Sequence, residues 1–319
     1  MEKTIFLNVA RMDFDNKLDF SCLSKITTVT KYDSSCDEEI LKRVQGQNIV
    51  ITKEMPVGRE LISQFPPSVK MICEAGTGYN NIDIVAAREK NIAVCNIPSY
   101  STEAVAQLVI TFILNLSSSL VQQQVMLRKK NFDNFTKHLQ VPHFELQGKT
   151  LGVIGGTGAI GREVIKIAQA LGMNIIVYNR SQKAWDDKAV RVLSLDELLK
   201  QSDFVTIHCP LNAETRHLIN KDKLKLMKPT AFIINTARGA IIKEVDLIEA
   251  LQQGTIAGAA LDVQDPEPPQ LDNPLFDMEN VILTPHIGWR RLESRQRLIE
   301  WIADNIAAFI QGKPINIVN

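Results

Sequence analysis

A glycine pattern directly after an apolar strand segment constrains this fold more than any other part of the chain. Gly156, Gly158 and Gly161 form G-x-G-x-x-G after the apolar run 151–155. Apolar residues at 160, 164, 167 and 171 then recur at helical spacing, and the next strand pattern starts at Asn174. The pattern alone is a weak signal, but here it opens a helix inside a unit of ~30 residues. The sequence therefore predicts a βαβ unit of a doubly wound parallel sheet.

Glycines at these positions favour a dinucleotide. The first permits a tight turn, the second lets a pyrophosphate approach the backbone, and the third lets the helix pack closely on the strand. A glycine-rich turn without a ligand is the alternative. We predict a cofactor site formed by Gly156, Gly158, Ala159, Ile160 and Gly161.

The end of the following strand indicates which dinucleotide is preferred. An acidic residue about 20 residues further on usually accepts a hydrogen bond from the ribose 2′-hydroxyl of NAD. This chain has Asn179, Arg180 and Ser181 there instead. These side chains would not repel a 2′-phosphate, and a guanidinium could bind one, although an exposed arginine is also often only solvated. We therefore expect NAD(P)H as the cofactor, with a preference for NADPH.

Alternating strand and helix patterns run along the whole chain. Strands are expected at 5–9, 49–52, 69–74 and 92–95, and then at 151–155, 174–178, 204–209, 231–236, 256–263 and 281–283. A final helix is expected over 292–311. We predict an α/β protein of two doubly wound parallel-sheet domains. Residues 1–99 and 287–319 would form a flavodoxin-like substrate domain, and residues 100–286 a Rossmann nucleotide-binding domain.

Composition excludes several classes of partner. The chain of 319 residues carries 36 Lys and Arg against 36 Asp and Glu, so we expect neither nucleic acid nor an anionic membrane as a partner. Its five cysteines form no C-x-x-C pair and fit a reducing cytoplasm, and no metal site is predicted. The uncharged stretch between Glu103 and Arg128 has a polar stripe, which predicts one long helix buried against protein rather than a membrane span.

Three polar residues stand at or just beyond the carboxyl ends of predicted strands: Arg238, Glu267 and His286. Each alone has an ordinary structural explanation. Together they supply a fork for a substrate carboxylate, a proton donor, and a carboxylate that orients the donor. Such a set suits the reduction of a 2-oxo acid. His208 also closes a strand and competes for the role of donor, and chemistry alone does not choose between the two histidines.

Longer motifs carry a family resemblance over nearly the whole chain. The segments 227–239, 257–263 and 284–286 resemble the D-2-hydroxyacid dehydrogenase family, and 100–107 and 288–298 are most similar to its glycerate dehydrogenase (hydroxypyruvate reductase) subgroup. The resemblance implies that Arg238 binds the carboxylate, that Glu267 orients His286, and that His286 is the acid/base. His208 would then lie beside the nicotinamide. The other predicted cofactor contacts are Cys209, Pro210, Thr236, Ala237 and Asp262.

The same resemblance implies that Gly76, Thr77 and Gly78 present backbone N–H groups to the substrate carboxylate, and that the chain forms a homodimer through its long uncharged helix. We expect NAD(P)H-dependent reduction of a small 2-oxo acid, hydroxypyruvate or glyoxylate, to its D-2-hydroxy acid. Pyruvate and D-lactate are alternative substrates. A nucleotide-sensing binding protein, like the C-terminal-binding protein corepressors of this family, is the alternative function.

One departure from the family concerns the glycine turn. The sequence Gly155-Gly156-Thr157-Gly158 has one residue more than the usual spacing. Either Gly155 or Gly156 could therefore take the place of the first glycine.

Overall fold

The chain divides into two compact units. The computed structural model describes residues 1–180, 185 and 187–319. Unit 1 consists of Met1–Ser101 and Trp289–Asn319, and unit 2 of Thr102–Gly288. The boundaries predicted from the sequence, after residues 99 and 286, lie two residues before these.

Strands and helices alternate through both units. The strands are β1 (Lys3–Phe6), β2 (Thr28–Lys31), β3 (Ile49–Thr52), β4 (Met71–Glu74), β5 (Ala93–Cys95), β6 (Thr150–Ile154), β7 (Asn174–Tyr178), β8 (Val190–Val192), β9 (Phe204–Ile207), β10 (Phe232–Asn235), β11 (Gly258–Leu261) and β12 (Val281–Leu283). The helices are α1 (Ser21–Ser24), α2 (Asp37–Arg43), α3 (Arg59–Ser63), α4 (Ile84–Glu89), α5 (Thr102–Ser118), α6 (Leu120–Arg128), α7 (Asp133–Thr136), α8 (Ala159–Ala170), α9 (Leu195–Gln201), α10 (Lys221–Leu224), α11 (Glu244–Gln252) and α12 (Leu292–Ile310).

Unit 1 is built on a parallel sheet of strand order β2-β1-β3-β4-β5. All four residues of β3 and of β4 are buried, as expected for strands covered on both faces. The terminal helix α12 closes one face through Leu298, Ile302 and Ile306. Strand β2 was not predicted, because it lies at the edge of the sheet and its residues are exposed or half-buried.

Unit 2 is built on a second parallel sheet, of order β12-β11-β10-β9-β6-β7-β8. Counted within the unit, β6 to β8 are its first three strands, and β9 follows on the other side of β6. This is the doubly wound nucleotide-binding order, in which ligands bind where the strand order reverses. The predicted fold class is confirmed. The sequence missed only the short strand β8 at the edge of this sheet, among the residues that the structure describes.

The prediction of one long uncharged helix is wrong, because the helix breaks at Ser119 into α5 and α6. This residue has a φ of +47°, and its Oγ donates a hydrogen bond to the carbonyl of Pro142 (2.6 Å). Helix α5 before the break is largely buried, whereas α6 has no buried residue. In the described part of the chain no single helix is long and apolar enough to cross a membrane, but α5 and α6 pass that test as a pair bent by 58°.

Candidate active site

The turn after β6 absorbs the extra residue of the glycine motif. Gly155 has a φ of +87°, and its carbonyl accepts a hydrogen bond from the N–H of Gly158 (3.2 Å), directly before α8 begins at Ala159. A Cβ on Gly155 would lie 2.8 Å from the backbone N of Cys209. Gly155 is therefore the residue that makes the sharp turn, where φ and space both require glycine.

Gly156 and Gly161 serve packing instead. A Cβ on Gly156 would lie 2.7 Å from a methyl group of Val177 in β7, and one on Gly161 would lie 2.8 Å from the carbonyl oxygen of Gly155. The two glycines thus bring the first turn of α8 against the sheet. Ala159 and Ile160 occupy this first turn, where backbone N–H groups lack intrahelical acceptors and favour an anion such as a pyrophosphate.

Two buried polar atoms near this turn have no hydrogen-bond partner among the described residues: Nδ2 of Asn179 and Oγ1 of Thr236. Asn179 follows β7 and Thr236 follows β10, so both stand at the carboxyl edge of the sheet. Native proteins seldom leave such atoms unpaired, because each costs about 1–3 kcal/mol. The orphaned atoms fit a dinucleotide at the edge where the sequence predicts one.

The predicted cofactor contacts beyond Asn179 differ in their surroundings. Arg180 is exposed, and its Nη1 donates to Oε2 of Glu214 (2.7 Å). This ion pair raises the pKa of Arg180, through the hydrogen bond first and the charge of Glu214 second. Ser181 lies outside the described residues. Ala237 lies in the turn after β10, where its N–H donates to Oδ1 of Asn235 (3.0 Å).

His208 and Cys209 follow β9, and Pro210 comes next. Burial lowers the pKa of His208 to about 3, and its Nε2 lies 2.9 Å from Oγ1 of Thr206. Burial likewise raises the pKa of the Cys209 thiol to about 11. Both side chains are therefore neutral near pH 7, and His208 lacks there the acidic second ring proton of an imidazolium.

Glu267 and His286 form a direct pair. Nδ1 of His286 lies 2.8 Å from Oε2 of Glu267, while Oε1 of Glu267 accepts the N–H of Gln264 (2.9 Å). The carboxylate is thus held through both oxygens. Because Nδ1 of the imidazole contacts Glu267, the other ring nitrogen, Nε2, points away from this carboxylate. This is the geometry of a histidine acid/base with an orienting carboxylate.

Asp262 holds the loop that carries His286. Its Oδ1 accepts from Oγ1 of Thr284 (2.5 Å) and from the N–H of Ile287 (2.8 Å), and its Oδ2 accepts from the N–H of Gly288 (2.8 Å). The carbonyl of Asp262 also accepts the N–H of His286 (2.9 Å), whose φ is +52°. Burial raises the pKa of Asp262, and the three hydrogen bonds oppose that rise.

The same arrangement bears on the predicted role of Asp262. The sequence assigns Asp262 to the cofactor site, but its carboxylate bonds to the 284–288 loop. In the structure Asp262 therefore fixes the backbone of the 284–288 loop, in which His286 has a positive φ.

Arg238 lies in the turn after β10, close to the Glu267 loop. The carbonyl of Arg238 accepts a hydrogen bond from Nδ2 of Asn235 (2.8 Å). Nη1 of Arg238 donates a hydrogen bond to the carbonyl of Ala237 (2.7 Å). A Cβ on the next residue, Gly239, would lie 2.1 Å from the backbone of Gln264. This close approach brings the loop with Arg238 against the loop with Glu267, so residues distant in sequence share one edge of unit 2.

The loop with Gly76, Thr77 and Gly78 belongs to unit 1. The carbonyls of Gly76 and Thr77 accept from the N–H of Ile97 (2.9 Å) and from Nδ2 of Asn96 (2.7 Å). These bonds fix the peptide planes of the loop. Its role in binding a carboxylate stays a prediction.

A buried cation that was not predicted from the sequence lies under this loop. Lys53 is 2% exposed, and its Nζ lies 3.0 Å from Oε1 of Glu54 and 3.9 Å from the centre of the Trp289 ring. A Cβ on Gly76 would approach this Nζ to 3.2 Å. Its signal in the sequence is a Lys-Glu pair directly after the apolar strand Ile49–Thr52.

Comparisons with known proteins identify the family of this chain. Residues 110–288 match the model of the D-isomer specific 2-hydroxyacid dehydrogenase, NAD binding domain. A hydroxypyruvate reductase from Blautia hydrogenotrophica is 39% identical over 285 residues, which cover 88% of each chain. The chain therefore belongs to the D-isomer specific 2-hydroxyacid dehydrogenase family.

Solved structures of similar proteins agree with this family membership. The D-lactate dehydrogenase of Aquifex aeolicus, complexed with NAD and lactic acid, is 30% identical with a TM-score of 0.87 and covers 99% of both chains. An NADPH-dependent glyoxylate/hydroxypyruvate reductase from Sinorhizobium meliloti is 25% identical with a TM-score of 0.84, covering 99% of this chain and 96% of that one. The predictions of family, of a dehydrogenase that uses a nicotinamide cofactor, and of hydride transfer to a 2-oxo acid are confirmed.

The anchoring of the His286 loop leads to a testable prediction. In the Asp262→Asn variant one acceptor oxygen replaces two, so the N–H of Gly288 loses its partner and the loop shifts. A displacement of about 1 Å costs roughly 10² in rate, and we expect kcat to fall by about that factor. Steady-state kinetics with circular dichroism check it, with the exposed Asp272→Asn as control. A folded variant with kcat within threefold of wild type would contradict the anchoring role.

Proposed function

We propose that this dehydrogenase reduces hydroxypyruvate or glyoxylate to the D-2-hydroxy acid with NADPH. The Glu267–His286 pair, at 2.8 Å and close to the Arg238 loop, is the observation that carries the proposal. The resemblance of segments 100–107 and 288–298 to glycerate dehydrogenases, and the names of the similar reductases, support the choice of substrate.

The residues of unit 2 divide the chemistry among them. The nicotinamide supplies a hydride to C2 of the substrate when the reduced cofactor is bound. Arg238 binds the carboxylate and the carbonyl oxygen, which aligns C2 and stabilises the charge that grows on that oxygen. His286 gives its Nε2 proton to this oxygen, and Glu267 stabilises the imidazolium before the transfer and keeps the ring in place.

The alternative donor, His208, suits a different task. A histidine with a pKa of about 3 is neutral near pH 7, so its one ring N–H can donate a hydrogen bond but is a far weaker acid than an imidazolium. We assign it to the nicotinamide side of the site together with Cys209 and Pro210. Thr236, Ala237 and Asp262 are assigned to the same edge.

The preference for NADPH rests on the end of β7. Asn179, Arg180 and Ser181 lack the carboxylate that would repel a 2′-phosphate, and Arg180 could exchange its exposed partner Glu214 for that phosphate. A cytoplasmic location is part of the proposal, and the five free thiols support it.

A substrate panel with both cofactors tests the proposal directly. We expect kcat/KM for hydroxypyruvate or glyoxylate to exceed that for pyruvate, and NADPH to exceed NADH, measured as loss of the reduced nicotinamide absorbance. A much higher kcat/KM with NADH would overturn the cofactor preference. Tight cofactor binding with negligible turnover of every 2-oxo acid would favour the nucleotide-sensing alternative.

The role of His286 is tested by removing its side chain. Because a general acid contributes roughly 10²–10⁴ in rate, we expect His286→Ala to lower kcat by that range while the Kd for NADPH stays within about twofold. The exposed His138→Ala is the matched control and should keep wild-type turnover. Turnover of His286→Ala within tenfold of wild type would refute the assignment.

We also propose that the chain forms a homodimer. Exposed apolar side chains cluster in the segment 114–139, among them Leu120 (55% exposed), Phe132 (54%) and Phe135 (77%). Clusters of this kind mark protein interfaces. The sequence predicts the dimer contact along the uncharged helix region, which ends before Arg128 and so overlaps the first part of this segment.

The dimer is tested with one charged substitution. Phe135→Glu would bury a carboxylate in an apolar interface, so we expect the mass in sedimentation equilibrium to fall to that of one chain. Phe276→Glu, at another half-exposed phenylalanine of unit 2 (51%), should leave the mass unchanged. A monomeric wild type, or a dimeric Phe135→Glu, would contradict the proposed interface.

A further inference from the structure

Thr157, in the lengthened glycine turn, is bonded to the end of β7. Its backbone N–H and its Oγ1 both donate to Oδ1 of Asn179, each at 3.1 Å. A backbone N–H can only donate, so the Asn179 atom that faces Thr157 must be the amide oxygen. Thr157 thereby fixes the orientation of an amide that could otherwise flip.

This orientation turns the amide nitrogen of Asn179 away from Thr157. Asn179 is 5% exposed, and its Nδ2 has no acceptor among the described residues. Leaving a buried donor unpaired costs about 1–3 kcal/mol. An acceptor that arrives with a ligand would recover that free energy.

The place of Asn179 in the fold indicates the ligand. It follows β7, the second strand of the nucleotide-binding βαβ unit, where an acidic side chain usually accepts from the ribose 2′-hydroxyl. Here a donor replaces that acceptor. A 2′-phosphate presents only acceptor oxygens near pH 7, so it complements Nδ2 where a carboxylate would repel it.

We propose that Nδ2 of Asn179 donates to an oxygen carried on C2′ of the adenosine ribose, and that Thr157 is the positioning residue that makes this contact selective for the 2′-phosphate. The inference rests on the proposed preference for NADPH and deepens it, since it names the residue that orients the contact.

One further contact and one contrast support a positioning role for Thr157. Nε of Arg162 in α8 donates to the Thr157 carbonyl (3.2 Å), so the Thr157 peptide is held from the helix side as well. Arg180, by comparison, is 80% exposed and pairs with an exposed carboxylate, and such surface pairs fix geometry weakly. The two hydrogen bonds from Thr157 to the buried Asn179 are therefore the better-fixed part of this end of the site.

Adenosine fragments isolate the contact from catalysis. The probes are 2′,5′-ADP and 5′-AMP, which differ by the 2′-phosphate, titrated calorimetrically into the full chain. Losing the Oγ1 hydrogen bond loosens the amide, so we expect Thr157→Ala to weaken 2′,5′-ADP binding about three- to tenfold. The Kd for 5′-AMP should change less than twofold, and Thr157→Ser, which keeps the hydroxyl, should bind both as wild type does.

A double-mutant cycle separates positioning from mere stability. In the Asn179→Ala background, Thr157→Ala should cause no further loss of 2′,5′-ADP affinity, because the group it orients is gone. Equal weakening of both fragments, or a lower Tm with an unchanged ratio of the two Kd values, would overturn the proposal.

Binding of the two fragments to the wild-type protein distinguishes failure of the NADPH preference from failure of the role of Thr157. If it binds 2′,5′-ADP no more tightly than 5′-AMP, the preference for NADPH fails and this inference fails with it. If it prefers 2′,5′-ADP and Thr157→Ala keeps that preference, only the role of Thr157 fails.

Discussion

The reversal of strand order between β6 and β9 is the constraint on which the rest of unit 2 depends. At that point the turn after β6 meets the chain after β9 so closely that Gly155 has no room for a Cβ beside Cys209. The contact places a helix N-terminus and the half-buried, neutral His208 at one edge of the sheet. A dinucleotide site at this edge follows from topology, because parallel strands end together there.

The same edge carries the Glu267–His286 pair, and the buried carboxylate of Asp262 holds the loop of His286 in place. Both carboxylate oxygens of Asp262 accept hydrogen bonds from the loop of His286. Burial disfavours the charge on this carboxylate, and the pKa of Asp262 is raised accordingly. The backbone of His286 has a positive φ, a conformation that persists only when the surroundings enforce it. Asp262 supplies that enforcement, and Glu267 then orients the ring.

Regular patterns were predictable and local exceptions were not. The buried strands β3, β4, β9 and β10 were found from apolar runs, because both of their faces must exclude water. The edge strands β2 and β8 were missed, since their short, partly exposed sequences carry no such run. The break at Ser119 was missed because the sequence there has neither Gly nor Pro, and a contact with Pro142, 23 residues away, accompanies it.

The sequence by itself determined the βαβ unit, the family, and the three residue types that the chemistry needs. Those follow from periodicity and from motifs whose spacing is local. Only the tertiary structure decided that Gly155 makes the turn, that His208 is half-buried and neutral, that Asp262 anchors the loop of His286, and that Thr157 bonds to Asn179. Each of these depends on burial or on a hydrogen bond between segments distant along the chain, and residue order does not contain those distances.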